Sequence, residues 1–339
     1  AVFVNQNPDC ASYASLYHSN ITDTQQNKNL NGSVSVAAFD DHCELQSNSI
    51  PNHNTGEGSA RNFVAPVTEI NWTYKINRNP KKEPTATPLT QRSYDAILLN
   101  GVVVDILSAG CYRPNGMRVD KNGNVAIGCQ STEKWLLDPL APNAGFGADK
   151  HHAHTQPNGQ YHYHGNPMAM FDDKPGENGS PVIGFAADGF PIYGSYFKDK
   201  TGQVRKAKSG YSLKQGNRPS SETDPGGKYD GMYIDDYEFT NSGDLDACNG
   251  MTVNGQYGYF VTDSYPWVIK CFSGKPDPSF NKPRPWLWRL HRCQSDDLAN
   301  RYASPDKPSW QSSWRFLLDP LILNSMDVWL STGAIIDVP

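Results

Sequence analysis

The chain is missing the marks of several function classes. Its 35 acidic residues outnumber the 30 basic ones, for a formal net charge of −5, so it has no surplus of positive charge to neutralise a phosphate backbone. A nucleic-acid partner is therefore not expected. No apolar run approaches the roughly 20 residues that a membrane-spanning helix needs. The zinc and redox pair C-x-x-C is absent, as are the H-E-x-x-H helix, the G-x-S-x-G elbow, the phosphate-binding glycine loop and the D-x-D-x-D-G calcium loop. Dedicated hydrolase, nucleotide and calcium signatures are thus excluded as motifs.

Seven cysteines stand well apart, and three pairs are near in sequence: Cys10 with Cys43, Cys111 with Cys129, and Cys248 with Cys271. Cys293 is left over. With 29 glycines, 25 prolines and 17 tyrosines, the composition reads as a loop-rich protein stapled by disulfides. Secreted or periplasmic residence is the matching expectation. The start at Ala1, without methionine, fits a mature chain whose signal peptide is gone and equally fits trimming. The fold expected is mainly β: hairpin-rich antiparallel sheets with long loops and a few short helices.

Five of the nine histidines fall between His151 and His164, in DKHHAHTQPNGQYHYHG (149–165). This stretch reads as a β-hairpin. Pro157 presets the first turn position, and Gly159 supplies the left-handed conformation of a three-residue loop. His154 then opposes His162 and His152 opposes His164, with Tyr161 and Tyr163 on the other face. Opposed side chains lie about 4.5–5.5 Å apart at Cβ, close enough to share one ion. A two-residue Asn-Gly turn would instead oppose His154 to Tyr163 and scatter the cluster. The bland alternative is a polar face, or histidines hydrogen-bonded to the core.

Elsewhere, residues 1–60 offer one strand, in VSVAAFDDHC (34–43), and otherwise read as a loop wrapped over the rest. Residues 62–80 alternate in the manner of strands. YDAILLNGVVVDIL (94–107) reads as two buried strands around Asn100-Gly101, and SPVIGFAADGFPIYGSYF (180–197) as two around Asp188-Gly189. TEKWLLDPLAP (132–142) is the best helix candidate. Residues 198–244 read as a polar surface excursion, and 245–272 as strands. Trp286, Trp288, Trp310, Trp314 and Trp329 offer core packing first and a carbohydrate platform second. Asn158-Gly159-Gln160-Tyr161-His162-Tyr163-His164 is echoed by Asn254-Gly255-Gln256-Tyr257-Gly258-Tyr259-Phe260, which keeps turn and tyrosines and lacks the histidines. Related hairpins in one sheet and chance similarity both account for the echo.

The chain resembles the YHYH-domain family over roughly residues 94–274. The resemblance is carried by YDAILLNGVVVDILSAGCY, HAHTQPNGQYHYHG, VIGFAADGFPIYG, LDACNG and YFVTDSYPWVIKCFSG, in that order. It implies an exported protein and no particular activity. Its pattern centres on His154, His162 and His164; His151 and His152 match its more variable stretch. Three regions follow: an N-terminal region 1–90 packed on the main domain, the domain itself at 91–274, and a tryptophan-rich extension at 275–339.

The residues thus point to one metal ion held by His154, His162 and His164, with His152 or a carboxylate as fourth ligand. His151, Asp188, Asp246, Tyr161 and Tyr163 are candidates for supporting or additional contacts. Copper comes first, because it heads the divalent affinity order and suits imidazoles without thiolate; zinc is next. Metal capture or redox chemistry, zinc-dependent hydrolysis, and a surface interaction module with a structural histidine hairpin are the competing functions. Partners expected are the metal ion and a small-molecule or carbohydrate ligand. His18 and His53, outside the hairpin, are expected to leave metal binding unchanged when replaced by alanine.

Overall fold

The computed structural model describes residues 3–141 and 144–283; Cys293, His291 and the five tryptophans from Trp286 onward lie outside them. The protein is mainly β, and the described residues contain three short 3-10 turns as their only helical elements. Three disulfides form, Cys10–Cys43, Cys111–Cys129 and Cys248–Cys271. None of the described helices is long and apolar enough to cross a membrane. Residues 1–283 form one compact unit.

The N-terminal region is a four-stranded antiparallel sheet, where the sequence pointed to one strand at 34–43, strands within 62–80 and otherwise loop. Its strands are β1 (Ser15–Asp23), β2 (Lys28–Ala38), β3 (His42–Ser47) and β4 (Trp72–Asn77), in that order. The apolar signal is sparse because the inward positions of β2 are Leu30, Gly32, Val34 and Val36, set among exposed Asn and Ser residues. That alternation still buries one face.

The segment 132–142 is not helical. Trp135 has φ +59°, Leu136 bridges to Cys111 and Leu137 to Tyr233, so three consecutive large side chains are buried by irregular pairing. The Trp135 backbone N–H donates to Asp235 Oδ2 at 2.6 Å, in place of the Thr132 side chain that would accept it at a helix entry.

The main sheet has eight strands: β5 (Ala96–Leu98), β6 (Val103–Val104), β7 (Ala153–Thr155), β8 (Tyr161–Tyr163), β9 (Val182–Ala186), β10 (Pro191–Tyr193), β11 (Gly250–Val253) and β12 (Gln256–Phe260). Their spatial order is β7-β8-β6-β5-β9-β10-β12-β11. The polar excursion at 198–244 contributes short two-stranded ribbons, 196–198 with 204–206 and 211–213 with 237–239.

An approximate twofold axis passes between the opposed residues Ile97 and Phe185 at the centre of this sheet. Around it, Leu99 N–H donates to Ile183 O at 2.8 Å and Ala187 N–H to Asp95 O at 2.9 Å. Hairpin β5–β6 turns at Asn100-Gly101 and β9–β10 at Asp188-Gly189. Each receives a following hairpin in parallel, with Tyr163 opposite Val104 and Tyr259 opposite Ile192. The two echoing hairpins therefore occupy opposite ends of one sheet. They differ by one residue in the turn: Thr155 opposes Tyr161 across a longer loop containing Pro157, whereas Val253 opposes Gln256 directly around Asn254-Gly255.

Gly159 has φ +83°, and a Cβ there would lie 2.4 Å from Thr68 Oγ1 and 2.6 Å from Pro66 O. Both the backbone conformation and the close approach require glycine. Gly159→Ala is expected to destabilise the protein by roughly 1–3 kcal/mol. The urea midpoint should fall with the slope of the transition unchanged; an unaltered midpoint would show that the turn carries no strain.

Candidate metal centre on the histidine hairpin

The register of β7 and β8 is Ala153↔Tyr163, His154↔His162 and Thr155↔Tyr161. Period-two alternation sends Tyr161 and Tyr163 inward, where both are fully buried, and His154, His162 and His164 to the opposite face. The tyrosine face is anchored by directed bonds. Tyr161 OH donates to Asp149 Oδ2 at 2.7 Å; Tyr163 OH accepts from Asn100 Nδ2 at 2.9 Å and lies 2.6 Å from His53 Nε2. His53 Nδ1 faces Asn54 O at 2.8 Å, which makes it the N–H and leaves Nε2 to accept from Tyr163.

On the other face three imidazoles converge. His164 Nε2 lies 3.1 Å from His162 Nε2 and 3.0 Å from His154 Nε2. The ring centroids are 4.7–4.9 Å apart and the rings tilted to near-perpendicular, so the nitrogens meet edge-on. His162 and His164 are buried and His154 is part-exposed, giving the cluster one open side. His154 Nδ1 faces Phe146 O at 2.9 Å and His162 Nδ1 faces Gln160 O at 3.3 Å. Carbonyls there select the Nδ1–H tautomer and leave the Nε2 lone pairs aimed at one another. His164 Nδ1 is buried without a well-formed hydrogen bond.

Burial holds all three imidazoles below the ordinary histidine range, with His162 and His164 far below it and like charge among the rings adding to the effect. They are neutral at physiological pH, the state a ligand needs.

His152 and His151 stay outside the cluster. His152 adopts φ +56°, which takes it out of the strand, and its Nδ1 turns to Asn166 O at 2.8 Å. His151 bonds Pro167 O through Nδ1 at 2.6 Å and stacks on His53, with centroids 3.5 Å apart, on the tyrosine side. Asp188 accepts from Tyr259 OH at 2.6 Å, and Asp246 from Tyr257 OH at 2.9 Å, so both belong to the second hairpin.

Three residues that sequence reasoning passed over matter here. His53, treated there as remote, packs against Tyr163. Asp149 is fully engaged, accepting from Tyr161 OH, His151 N–H and Gly56 N–H. Asp105, at the end of β6, accepts from Gln156 Nε2 at 2.8 Å and from Lys282 Nζ at 2.5 Å beside the cluster. The signal for Asp149 was available only in part: extending the echo upstream aligns Asp149 with Asp246 once the one extra residue of the first turn is skipped.

Taken together, a disulfide-stapled β protein carries a buried three-imidazole cluster on a hairpin at one end of its main sheet. The YHYH protein family model matches residues 73–274, well over half of the chain, and the protein belongs to that family. The match starts at β4, so it takes in the last strand of the N-terminal sheet as well as the main domain. Among curated proteins and solved structures, none matches the chain.

The neutral buried histidines set a pH dependence. Burial pushes His53 down to about 3, alongside the three cluster residues. In the unfolded chain these groups take up protons near 6.5. Below that pH the unfolded state binds more protons than the folded one, so stability falls as pH drops, down to the folded values. Metal-free protein scanned by calorimetry from pH 7 to 4 should melt at progressively lower temperature. The decline should be shallower in His53→Gln; identical slopes would show that His53 does not stay neutral in the fold.

Proposed function

We propose that this is an exported metal-binding protein that holds one ion through His154, His162 and His164, for metal capture or redox chemistry, with copper favoured. One observation carries the reading: His164 presents its Nε2 atom 3.0–3.1 Å from the Nε2 atoms of His154 and His162, in a largely buried cluster of three neutral imidazoles. Hydrogen bonding alone satisfies this arrangement poorly. With Nδ1–H fixed on His154 and His162, the single Nε2–H that His164 can supply is shared between two acceptors. A cation satisfies all three lone pairs. An ion at the usual metal–nitrogen distance of about 2.0–2.1 Å reaches two nitrogens with that spacing at once.

Among the described residues the donor set is imidazole alone, without thiolate or carboxylate in the cluster. Such a set suits copper(II), at the top of the divalent affinity order, ahead of zinc. Bound copper would supply one-electron redox chemistry; zinc would supply Lewis acidity. The second reading, a zinc site, is favoured by the part-exposed His154, since three histidines with a free position is the catalytic zinc pattern. Export is supported by three disulfides, which persist in oxidising compartments.

Untagged apo protein titrated by calorimetry should bind one equivalent of copper(II) more tightly than zinc(II). Replacing His154, His162 or His164 by alanine should weaken binding by more than about 100-fold, beyond the 10–100-fold typical of supporting residues. Tyr161→Phe should leave the ion in place. Single histidine variants that bind as the wild type does would sink the metal reading.

A further inference from the structure

We propose that Lys282 and Asp105 are joined by an intramolecular isopeptide bond, formed with Asp95 as the proton carrier. The proposal is independent of the metal reading.

Lys282 Nζ lies 2.5 Å from Asp105 Oδ2, with the side chains 18% and 6% exposed. The other described lysine ion pairs, at Lys75, Lys82, Lys150 and Lys206, have lysine side chains 40–55% exposed, where water competes for both partners. The Lys282 approach is set by the backbone: its N–H donates to Arg92 O at 2.9 Å, and Tyr94 N–H donates to Phe280 O at 2.9 Å. The ammonium also lies 5.1 Å from the centre of the Tyr94 ring. Nucleophile and acyl group are thus held together in a largely dry site, the condition under which effective concentrations become very high.

Asp95 supplies the third part. Asp95 precedes Ala96 and Asp105 follows Val104, Ala96 and Val104 being opposed across antiparallel strands, and Asp95 Oδ2 accepts from the N–H of Ile106 at 2.7 Å. Oδ1 of Asp95 and Oδ1 of Asp105 are both buried without a hydrogen-bond partner among the described residues. Two buried carboxylates that repel one another favour a proton on one of them, and Lys282 and Lys270 oppose this more weakly than burial and the charge of Asp105 drive it. Burial, and then the charge of Asp105, raise Asp95 well above the carboxylate range, so Asp95 is the one that carries it.

The chemistry balances without an external reagent. Asp95 gives its proton to Oδ1 of Asp105 and takes one from the Lys282 ammonium, which converts the ion pair into an amine and a carboxylic acid with its hydroxyl at Oδ1. The amine nitrogen attacks Cγ of Asp105, and Oδ2, held by the amide of Gln156 at 2.8 Å, takes the developing charge. Asp95 gives its proton to the departing hydroxyl at Oδ1 and receives one from the nitrogen. One C–N bond forms, one C–O bond breaks, one water leaves, and Asp95 ends as it began. The product links positions 177 residues apart by a bond that reductants do not cleave.

The test is peptide mass mapping of folded wild-type protein after reduction, alkylation and removal of any N-glycans. The expected result is a branched species containing both Asp105 and Lys282, lighter by one water than its two constituent peptides. Asp95→Asn should return the two peptides separately at full mass, with near-ultraviolet dichroism confirming that the variant folds. Asp105→Asn should still cross-link, losing ammonia in place of water. Recovery of Asp105 and Lys282 in separate, unmodified peptides from the folded wild type overturns the proposal. Undiminished cross-linking in Asp95→Asn would remove Asp95 from it.

Discussion

Everything at the candidate site depends on the way the hairpin's inner face is tied down. Tyr161 and Tyr163 are fully buried, and a buried hydroxyl without a partner costs on the order of 1–3 kcal/mol. Asp149, Asn100 and His53 meet that need with bonds of 2.6–2.9 Å. Because successive side chains point to opposite faces, fixing the two tyrosines fixes the three imidazoles on the outside. A slip of one residue would bury imidazoles in the tyrosine slots and expose the rings, so the inner bonds and the outer cluster stand or fall together.

The twofold arrangement separates scaffold from site without any alignment of relatives. Tyr161–Asp149 has its counterpart in Tyr257–Asp246, and Tyr163–Asn100 in Tyr259–Asp188. His152 and Asn249 both adopt positive φ, and each accepts a backbone bond at its carbonyl, from His164 and Phe260 respectively. These shared features build hairpins. The positions of His154, His162 and His164 are taken in the second copy by Met251, Gly258 and Phe260. There the same face is closed by apolar packing, with Phe260 stacked on Tyr193 at 5.0 Å and set against Phe197 and Leu245. The histidines are therefore not what this hairpin needs in order to fold.

The hairpin was legible because its determinants are local: Pro157 set the loop length, Gly159 the bulge, and alternation did the rest. His152 was misjudged for the opposite reason. Its positive φ comes from the corner leading into β7, which no periodicity reports. The missed N-terminal sheet has inward positions filled by few large apolar residues, so its pattern is weak although its pairing is long. The helix expected at 132–142 rested on Thr132 as an entry and a proline as its end, around an apolar run, Trp135 to Leu137, that cannot be told from irregular buried chain by hydrophobicity alone. Asp105 and Lys282 are far apart in sequence, and nothing short of the fold reveals that they meet.

His154 and His164 are only ten residues apart, and His162 lies between them. A centre assembled from so short a span closes one small loop and makes few demands on the order in which the remainder folds. An ion seated there, as proposed, would also have access to the same three side chains in a locally opened or newly made chain. Its hold on the unfolded ensemble would offset part of what it adds to the native state. Occupancy would then slow the fraying of one sheet edge far more than it raises the resistance of the whole molecule to unfolding, and amide exchange would be slowed on β7 and β8 while the central strands kept their own rates.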